Sequence, residues 1–354
     1  MTQFIAGIDV GGSKVDVQLF TVTGGALAVT PAWQTQEETQ RGLEAHTLQI
    51  VRLINLARLQ AQAHQGELVR AGIASPGRFD AQGVIKAGTN TNMGAVPSEF
   101  DGICLRDHYM KALGDLARVP VYVANDADAM LLDMIEAMIV NGYGDKLYGH
   151  QVALLGIGTG VGHAIAYFSK DSHLTFHTDG HASKLRVRVD AQDWSFISRI
   201  SALPDAPHIV VCEDGSVRAE DLFRAPVVNA LAGVTNGQQI ESRKPEHAAV
   251  LAFAGKYMAR LIALIASGES QDVNPENGWS DEDRAQAAKT DMYLIGGGMG
   301  SSKLGAEIVY YAHQELKRLE LDRIRLLHYS GQSSPARAAA LLTLQAAVRR
   351  NAAV

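Results

Sequence analysis

Gly7-Ile8-Asp9-Val10-Gly11-Gly12-Ser13-Lys14 is the stretch whose reading decides the fold. Phe4 to Asp9 is apolar, and beyond the glycines Val15, Val17 and Leu19 alternate with Asp16 and Gln18. That period of two predicts a strand, a tight glycine turn and a second strand. Glycine in such a turn lets backbone N–H groups approach an anion with no Cβ in the way. The same glycines equally suit a plain hairpin that needs positive φ, and one turn alone does not separate the two readings. A P-loop is absent, because Gly-x-x-x-x-Gly-Lys-Ser/Thr does not occur. Strand rather than helix follows the glycines, which also excludes a dinucleotide-binding fingerprint.

The pattern returns later in the chain. Val152 to Ile157 is apolar, runs into Gly158-Thr159-Gly160-Val161-Gly162, and resumes as an alternating segment from Ala164 to Phe168. Laid over the first copy, Gly7-Ile8-Asp9 falls on Gly156-Ile157-Gly158, so the sequence predicts one hairpin unit used twice. A third glycine turn, Gly296-Gly297-Gly298, follows the apolar run Met292 to Ile295. Between these lie a predicted helix from Arg41 to Ala63 stopped at Gly66, a strand from Val69 to Ser75 ended by Pro76-Gly77, and a strand from Val119 to Ala124. A helix from Asp128 to Val140, an apolar helix from Ala248 to Ala266 and a final helix from Ser334-Pro335 to about Arg349 complete the pattern. Residues 268–290 are polar and acidic and read as a surface excursion. Strands alternating with helices give an α/β class. A chain of 354 residues exceeds what one core usually holds, so two lobes with a cleft are expected.

Two aspartates stand where chemistry could occur. Asp9 ends the first strand beside the glycine turn, where a carboxylate can hold Mg2+ through water near phosphates, or can simply bond its own turn backbone. Lys14 can screen phosphate charge or be a solvated strand residue. Asn125-Asp126 closes a strand just before a helix. A carboxylate there can take the proton of an attacking hydroxyl, with Asn125 orienting neighbouring hydroxyls; it can equally be the cap of the helix.

As a set these residues resemble a known family. Gly7 to Lys14 is similar to the first phosphate motif of the ROK family (repressors, open reading frames and sugar kinases), and Gly158 to Gly162 to its second. Ser75-Pro76-Gly77, Gly83 to Asn90, Val121 to Asp128, Leu294 to Gly298 and the alanine-rich terminal helix follow in the family's order. The resemblance leaves out roughly 184–243 and the acidic excursion. It implies two ribonuclease-H-like lobes of the actin-like ATPase fold with an interlobe cleft: an N-terminal lobe over 1–126, with the helix of about 334–350 packing back on it, and a C-terminal lobe over 127–333. It implies ATP-dependent phosphorylation of a sugar hydroxyl, with ATP and Mg2+ as cofactors. Asp126 would be the base. Asp9, Gly11, Gly12, Ser13, Lys14, Gly158, Thr159, Gly160, Gly296, Gly297 and Gly298 would hold the nucleotide, with Asp9 binding Mg2+ through water. Gly77, Asn90, Asn125, Asp126 and His181 would hold the sugar. A homodimer or larger homo-oligomer is also implied.

The sequence departs from the family on the sugar side. Thr178 stands where the family carries a glutamate three residues before the matched histidine, and the zinc motif Cys-x-Cys-Gly-x-x-Gly-Cys is missing. Cys212 and Glu220 lie in the corresponding region, and Glu220 is a candidate replacement for the lost sugar-binding glutamate. His163 stands where the family has glycine. His173, His177 and His181 are spaced four apart, but their neighbours fit a strand and turn, which favours hydrogen-bonded histidines over a metal site. No zinc is expected.

Composition narrows the alternatives. Hydrophobic residues at 47% and charged residues at 20% fit a folded domain with an ample core, and a net charge of -6 argues against a nucleic-acid partner. The start has no leader pattern and no run is expected to span a membrane, so the protein reads as cytoplasmic. Only Cys104 and Cys212 occur, which excludes a disulfide framework. Family repressors carry a DNA-binding domain ahead of the first phosphate motif; that motif begins here at Gly7, so none is expected. The alternative to a kinase is a catalytically silent sugar or nucleotide sensor.

Overall fold

A computed structural model describes residues 1–80, 82–88, 93–94, 96, 98–114, 118–169, 174–177, 182–202, 207–273, 278–331 and 334–351. The chain divides into two compact units, Met1–Glu136 with Ser334–Val354, and Ala137–Ser333.

The first unit is built on the quoted hairpin. β1 (Thr2–Val10) and β2 (Lys14–Thr23) pair antiparallel as far as Val10 opposite Val15. Val15, Val17 and Leu19 are fully buried, as their alternation requires. β3 (Ala26–Leu27) and β4 (Trp33–Glu38) pair with the outer edge of β2. α1 (Leu43–Ala63) buries Ile50, Leu53, Ile54 and Ala57, a stripe at helical spacing, in the core that holds Phe4, Ile8 and Ile73. It ends at His64, and Gln65 takes the left-handed conformation. Gly66 is therefore not the stop: it pairs with Thr2 and opens β5 (Gly66–Ser75), which runs parallel to β1. α2 (Leu105–Leu113), β6 (Val121–Asn125) and α3 (Asp126–Val140) follow, with β6 parallel to β5. The sheet order is β3-β2-β1-β5-β6.

The second unit repeats the plan. β7 (His150–Ile157) and β8 (Val161–Phe168) form the hairpin, and β9 (Leu174–His177) extends it. Val161 and Gly162 are strand residues opposite Ile157 and Gly156, so the turn is shorter than the glycine run suggests. An inserted segment holds β10 (Arg186–Arg188), α4 (Trp194–Ser201), β11 (Ser216–Arg218), α5 (Glu220–Phe223) and α6 (Ala225–Ala232), with β10 and β11 forming a small antiparallel sheet. α7 (Pro245–Ser267) follows, opened by Pro245 and closed by a left-handed Gly268. Contrary to the sequence expectation, α7 is long and apolar enough to cross a membrane by length and composition. Its Val250, Leu251, Tyr257, Leu261 and Ile262 nevertheless belong to the core of this unit. α8 (Asp281–Ala287), β12 (Met292–Gly296), α9 (Gly297–Gly300), α10 (Lys303–Arg318) and β13 (Arg325–His328) complete it. The order β13-β12-β7-β8-β9 reproduces the first sheet: an antiparallel hairpin with two parallel strands added beside its first strand.

The described part of 268–290 is not a free excursion. Arg186 N–H donates to Gln271 O at 2.7 Å and Val273 N–H to Lys184 O at 3.0 Å, while Trp279 is buried. Its polar sequence reads as solvated, and Ser280, Asp281 and Glu282 are exposed, but backbone pairing ties Gln271 and Val273 to the chain beside β10. The chain returns to the first unit as α11 (Pro335–Asn351). This helix crosses β1 and β5 so closely that a Cβ on Gly7 or Gly72 would overlap the carbonyls of Ala336 and Ala339. Only small residues allow that approach, which explains the alanine-rich sequence. Asp133 anchors its start, accepting from Ser334 N–H at 2.9 Å and from Arg337 Nη1 at 2.8 Å.

Candidate active site

The candidates of the first unit gather at the carboxyl ends of the parallel strands. Asp9, Ala74 and Ala124 are in register across β1, β5 and β6, so Asp9 and the Asn125-Asp126 pair leave the sheet along the same edge. Ligands of open α/β sheets bind outside such strand ends. Beside Asp9 the turn is held by Gly11 N–H donating to Lys14 O at 2.9 Å and by Thr39 Oγ1 donating to Gly11 O at 2.6 Å. Gly12, Ser13 and Lys14 are exposed at its tip.

Asp9 is half-buried, and burial pushes its carboxyl up to about 7. The carboxylates of Asp126 and Asp16 push the same way, and Lys14 opposes them. Burial also raises Asp126, against the backbone N–H groups of Ala127 and of Asp126 itself. A buried carboxyl raised by neighbouring carboxylates, as Asp9 is, is electrostatically ready for a cation or a proton. Among the described residues no group of three or more His, Cys, Asp or Glu stands close enough to hold a metal. A cation at Asp9 would therefore keep much of its own water, as Mg2+ does.

The capping of α3 falls chiefly to Asn125. Its Oδ1 accepts from Ala127 N–H at 2.8 Å and from Asp128 N–H at 3.3 Å, and its Nδ2 donates to Gly77 O at 2.7 Å. Asp126 is the first helical residue, and its Oδ1 accepts from Ala127 N–H at 2.8 Å. The sequence left Asp126 open between cap and base; Asn125 takes the larger share of the capping, and Asp126 shares it through Oδ1 at Ala127 N–H.

In the second unit the other two glycine turns are neighbours. Gly158 N–H donates to Gly160 O at 2.9 Å, and Thr159 is exposed at the tip. Gly296 pairs with Gly156, and Gly297 then takes φ 83°, where a Cβ would stand 2.8 Å from both Ile157 N and Ile157 O. Around Gly298 the space is open. Glu220 lies against this region: its Oε2 is 3.4 Å from the position of a Cβ on Gly160, and its Oε1 is 3.3 Å from Arg218. Burial raises its carboxyl.

Asn90 and His181 lie outside the described residues, as do His173 and Thr178. Cys104 and Cys212 are both free thiols. His163 is buried and its ring packs on Trp279 at a centroid distance of 5.8 Å.

No protein-family model matches the sequence, and no curated protein does. Solved structures match over almost the whole chain. The ROK hexokinase from Thermus thermophilus is 17% identical over 98% of this chain and 99% of its own, with a TM-score of 0.58. A ROK family glucokinase from Streptomyces griseus, solved with glucose and AMPPNP, is 16% identical over 95% of this chain and 97% of its own, with a TM-score of 0.57. A ROK family transcriptional regulator, a homologue of the E. coli MLC protein, is 15% identical over 97% of this chain and 78% of its own, with a TM-score of 0.61. At such identities the likeness is one of fold. Together with the duplicated sheet order, it gives this chain the α/β, ribonuclease-H-like fold of the ROK sugar kinases and regulators.

Proposed function

We propose that the chain is a ROK family kinase that transfers the terminal phosphoryl group of ATP to a hydroxyl of a hexose or amino sugar. The observation that carries this reading is that Asn125 takes most of the capping of α3, at the strand end where Asp126 stands with Asp9 and the Gly11 turn. Asp126 Oδ2 takes the proton of the attacking hydroxyl. Gly77 and Asn125, tied by their hydrogen bond, fix the sugar, and Asn90 and His181 complete its shell.

The exposed amides at Gly12 and Ser13 and the Gly158 to Gly160 turn suit phosphate oxygens, with Lys14 screening their charge. The open space at Gly298 suits the adenosine. Mg2+ fits Asp9 because the crowding of its carboxylate by Asp126 and Asp16 is relieved by a cation. Held there through water, it would supply charge neutralisation to the phosphates. Glu220, half-buried near Gly160 with its charge offset by Arg218, serves as an acceptor for sugar hydroxyls. In that role it stands in for the sugar-binding glutamate that the family carries just after its zinc motif.

A second reading is a sugar-responsive regulator without turnover, favoured by the regulator of the same fold among the similar structures. ADP release measured with a panel of hexoses and amino sugars separates the two. A kinase shows stimulation by at least one sugar; a silent sensor binds sugar without it.

A further inference from the structure

A cavity of about 760 Å3 lies wholly within the second unit, between the small β10/β11 sheet, the end of α7, the residues after Gly268 and α8. None of its lining residues is a nucleotide or sugar candidate. Apart from Arg260 and Leu264 of α7, the lining comes from 184–243 and 268–290, the two segments where the sequence stops resembling the ROK pattern. The cavity is thus this chain's own construction, and its size is that of a small-molecule site, roughly 300–1,000 Å3.

Its charges are arranged unevenly. Arg260 is matched by Asp190 and Glu315, and Arg284 by Asp281. Arg186 gives its Nε to Asp272 O at 2.9 Å, a neutral partner, and makes no ion pair among the described residues. Arg188 is exposed and makes no ion pair among the described residues. Both guanidinium groups act on Asp214, whose carboxyl is held down by the Ser216 hydroxyl first and then by the Ser216 amide. Guanidinium groups of this kind favour phosphate.

The same wall also carries acceptors. Asp214 and the exposed Glu269 disfavour a bare polyanion and accept hydroxyl protons, and Gln271 adds an amide. Ser270 is 1% exposed, yet its Oγ has no hydrogen-bond partner among the described residues. A buried hydroxyl on a cavity wall is satisfied when a polar ligand enters. Leu264 and Val187 offer an apolar face.

We propose that this cavity binds a phosphate monoester of a small polyhydroxylated molecule, with Arg186 and Arg188 on the phosphate and Asp214, Ser270 and Gln271 on the hydroxyls. The inference does not require turnover, so it stands or falls apart from the kinase reading. Titration calorimetry with glucose 6-phosphate tests it, in saturating AMPPNP and Mg2+, with glucose and inorganic phosphate as comparisons. Arg188 is exposed, so Arg188→Glu and Arg188→Ala are expected to fold normally, which their thermal unfolding checks.

The expected result is binding of the ester that weakens at least about tenfold in Arg188→Glu. Inorganic phosphate should bind at least as much more weakly than the ester, any binding of glucose should be unaffected by Arg188→Glu, and Asp126→Asn should leave ester binding unchanged. The inference is overturned if wild type does not bind the ester, or if Arg188→Glu binds it as well as wild type. Equal affinity for inorganic phosphate, or loss of ester binding in Asp126→Asn, overturns it as well.

Discussion

Asn125 Nδ2 donates a hydrogen bond of 2.7 Å to the carbonyl oxygen of Gly77, 48 positions earlier in the chain. The same side chain caps α3 through its Oδ1, so one amide fixes both the loop after β5 and the start of the helix that carries Asp126. Removing it should be felt in stability and in sugar binding together. Asn125→Ala is expected to lose about 1–2 kcal/mol in urea unfolding, and to raise the sugar KM. Asn125→Asp keeps the cap acceptor but sets a carboxylate oxygen against the Gly77 carbonyl, so it should recover only part of the stability while leaving KM high.

The pH dependence of stability follows from Asp9. Its carboxyl is raised from 3.8 to about 7 in the folded chain, so between those values the native state holds a proton that the unfolded state releases. Stability from this group is fully present below the unfolded value and is lost as pH rises through about 7. Urea midpoints across this range should fall less in Asp9→Asn than in wild type. Mg2+-dependent nucleotide binding should move oppositely, strengthening as pH rises through about 7 and the carboxylate ionises.

Much of this was legible in the sequence, for a physical reason. The two hairpins rest on alternation over adjacent residues, a local signal, and Gly7 to Lys14 and Gly156 to Gly162 displayed it plainly. What stayed hidden depends on partners far away in the chain. Gly7 read as part of a phosphate turn, whereas its backbone is bare because α11 lies on it. The division of labour between Asn125 and Asp126 needed the position of Gly77. Residues 268–290 read as a surface excursion, and the backbone pairing that ties Gln271 and Val273 to Arg186 and Lys184 is something no composition reveals.

The two glycines of the third turn separate folding from binding. Gly297→Ala places a Cβ against Ile157 at positive φ and should lower stability by more than about 1 kcal/mol. Gly298→Ala enters open space, so its unfolding midpoint should stay within about 0.5 kcal/mol of wild type. If the adenosine sits there, Gly298→Ala raises the KM for ATP several-fold without that loss of stability.

The anchor of α11 should be costly to break. Asp133 is 3% exposed and depends on Arg337 and on the Ser334 amide. Arg337→Ala leaves this buried carboxyl without its cation and should cost about 3 kcal/mol in urea unfolding. Replacing Asp133 by Asn in the same protein should return part of it, because no charge is then left uncompensated.

The base assignment is tested most directly by sugar-stimulated ADP release in wild type and Asp126→Asn. With Asp126 as the base, at least one hexose or amino sugar stimulates the wild type, and the substitution lowers kcat by about 10²–10⁴ with the folded state intact. A stimulated rate that survives Asp126→Asn, or a wild type that no sugar stimulates, contradicts it.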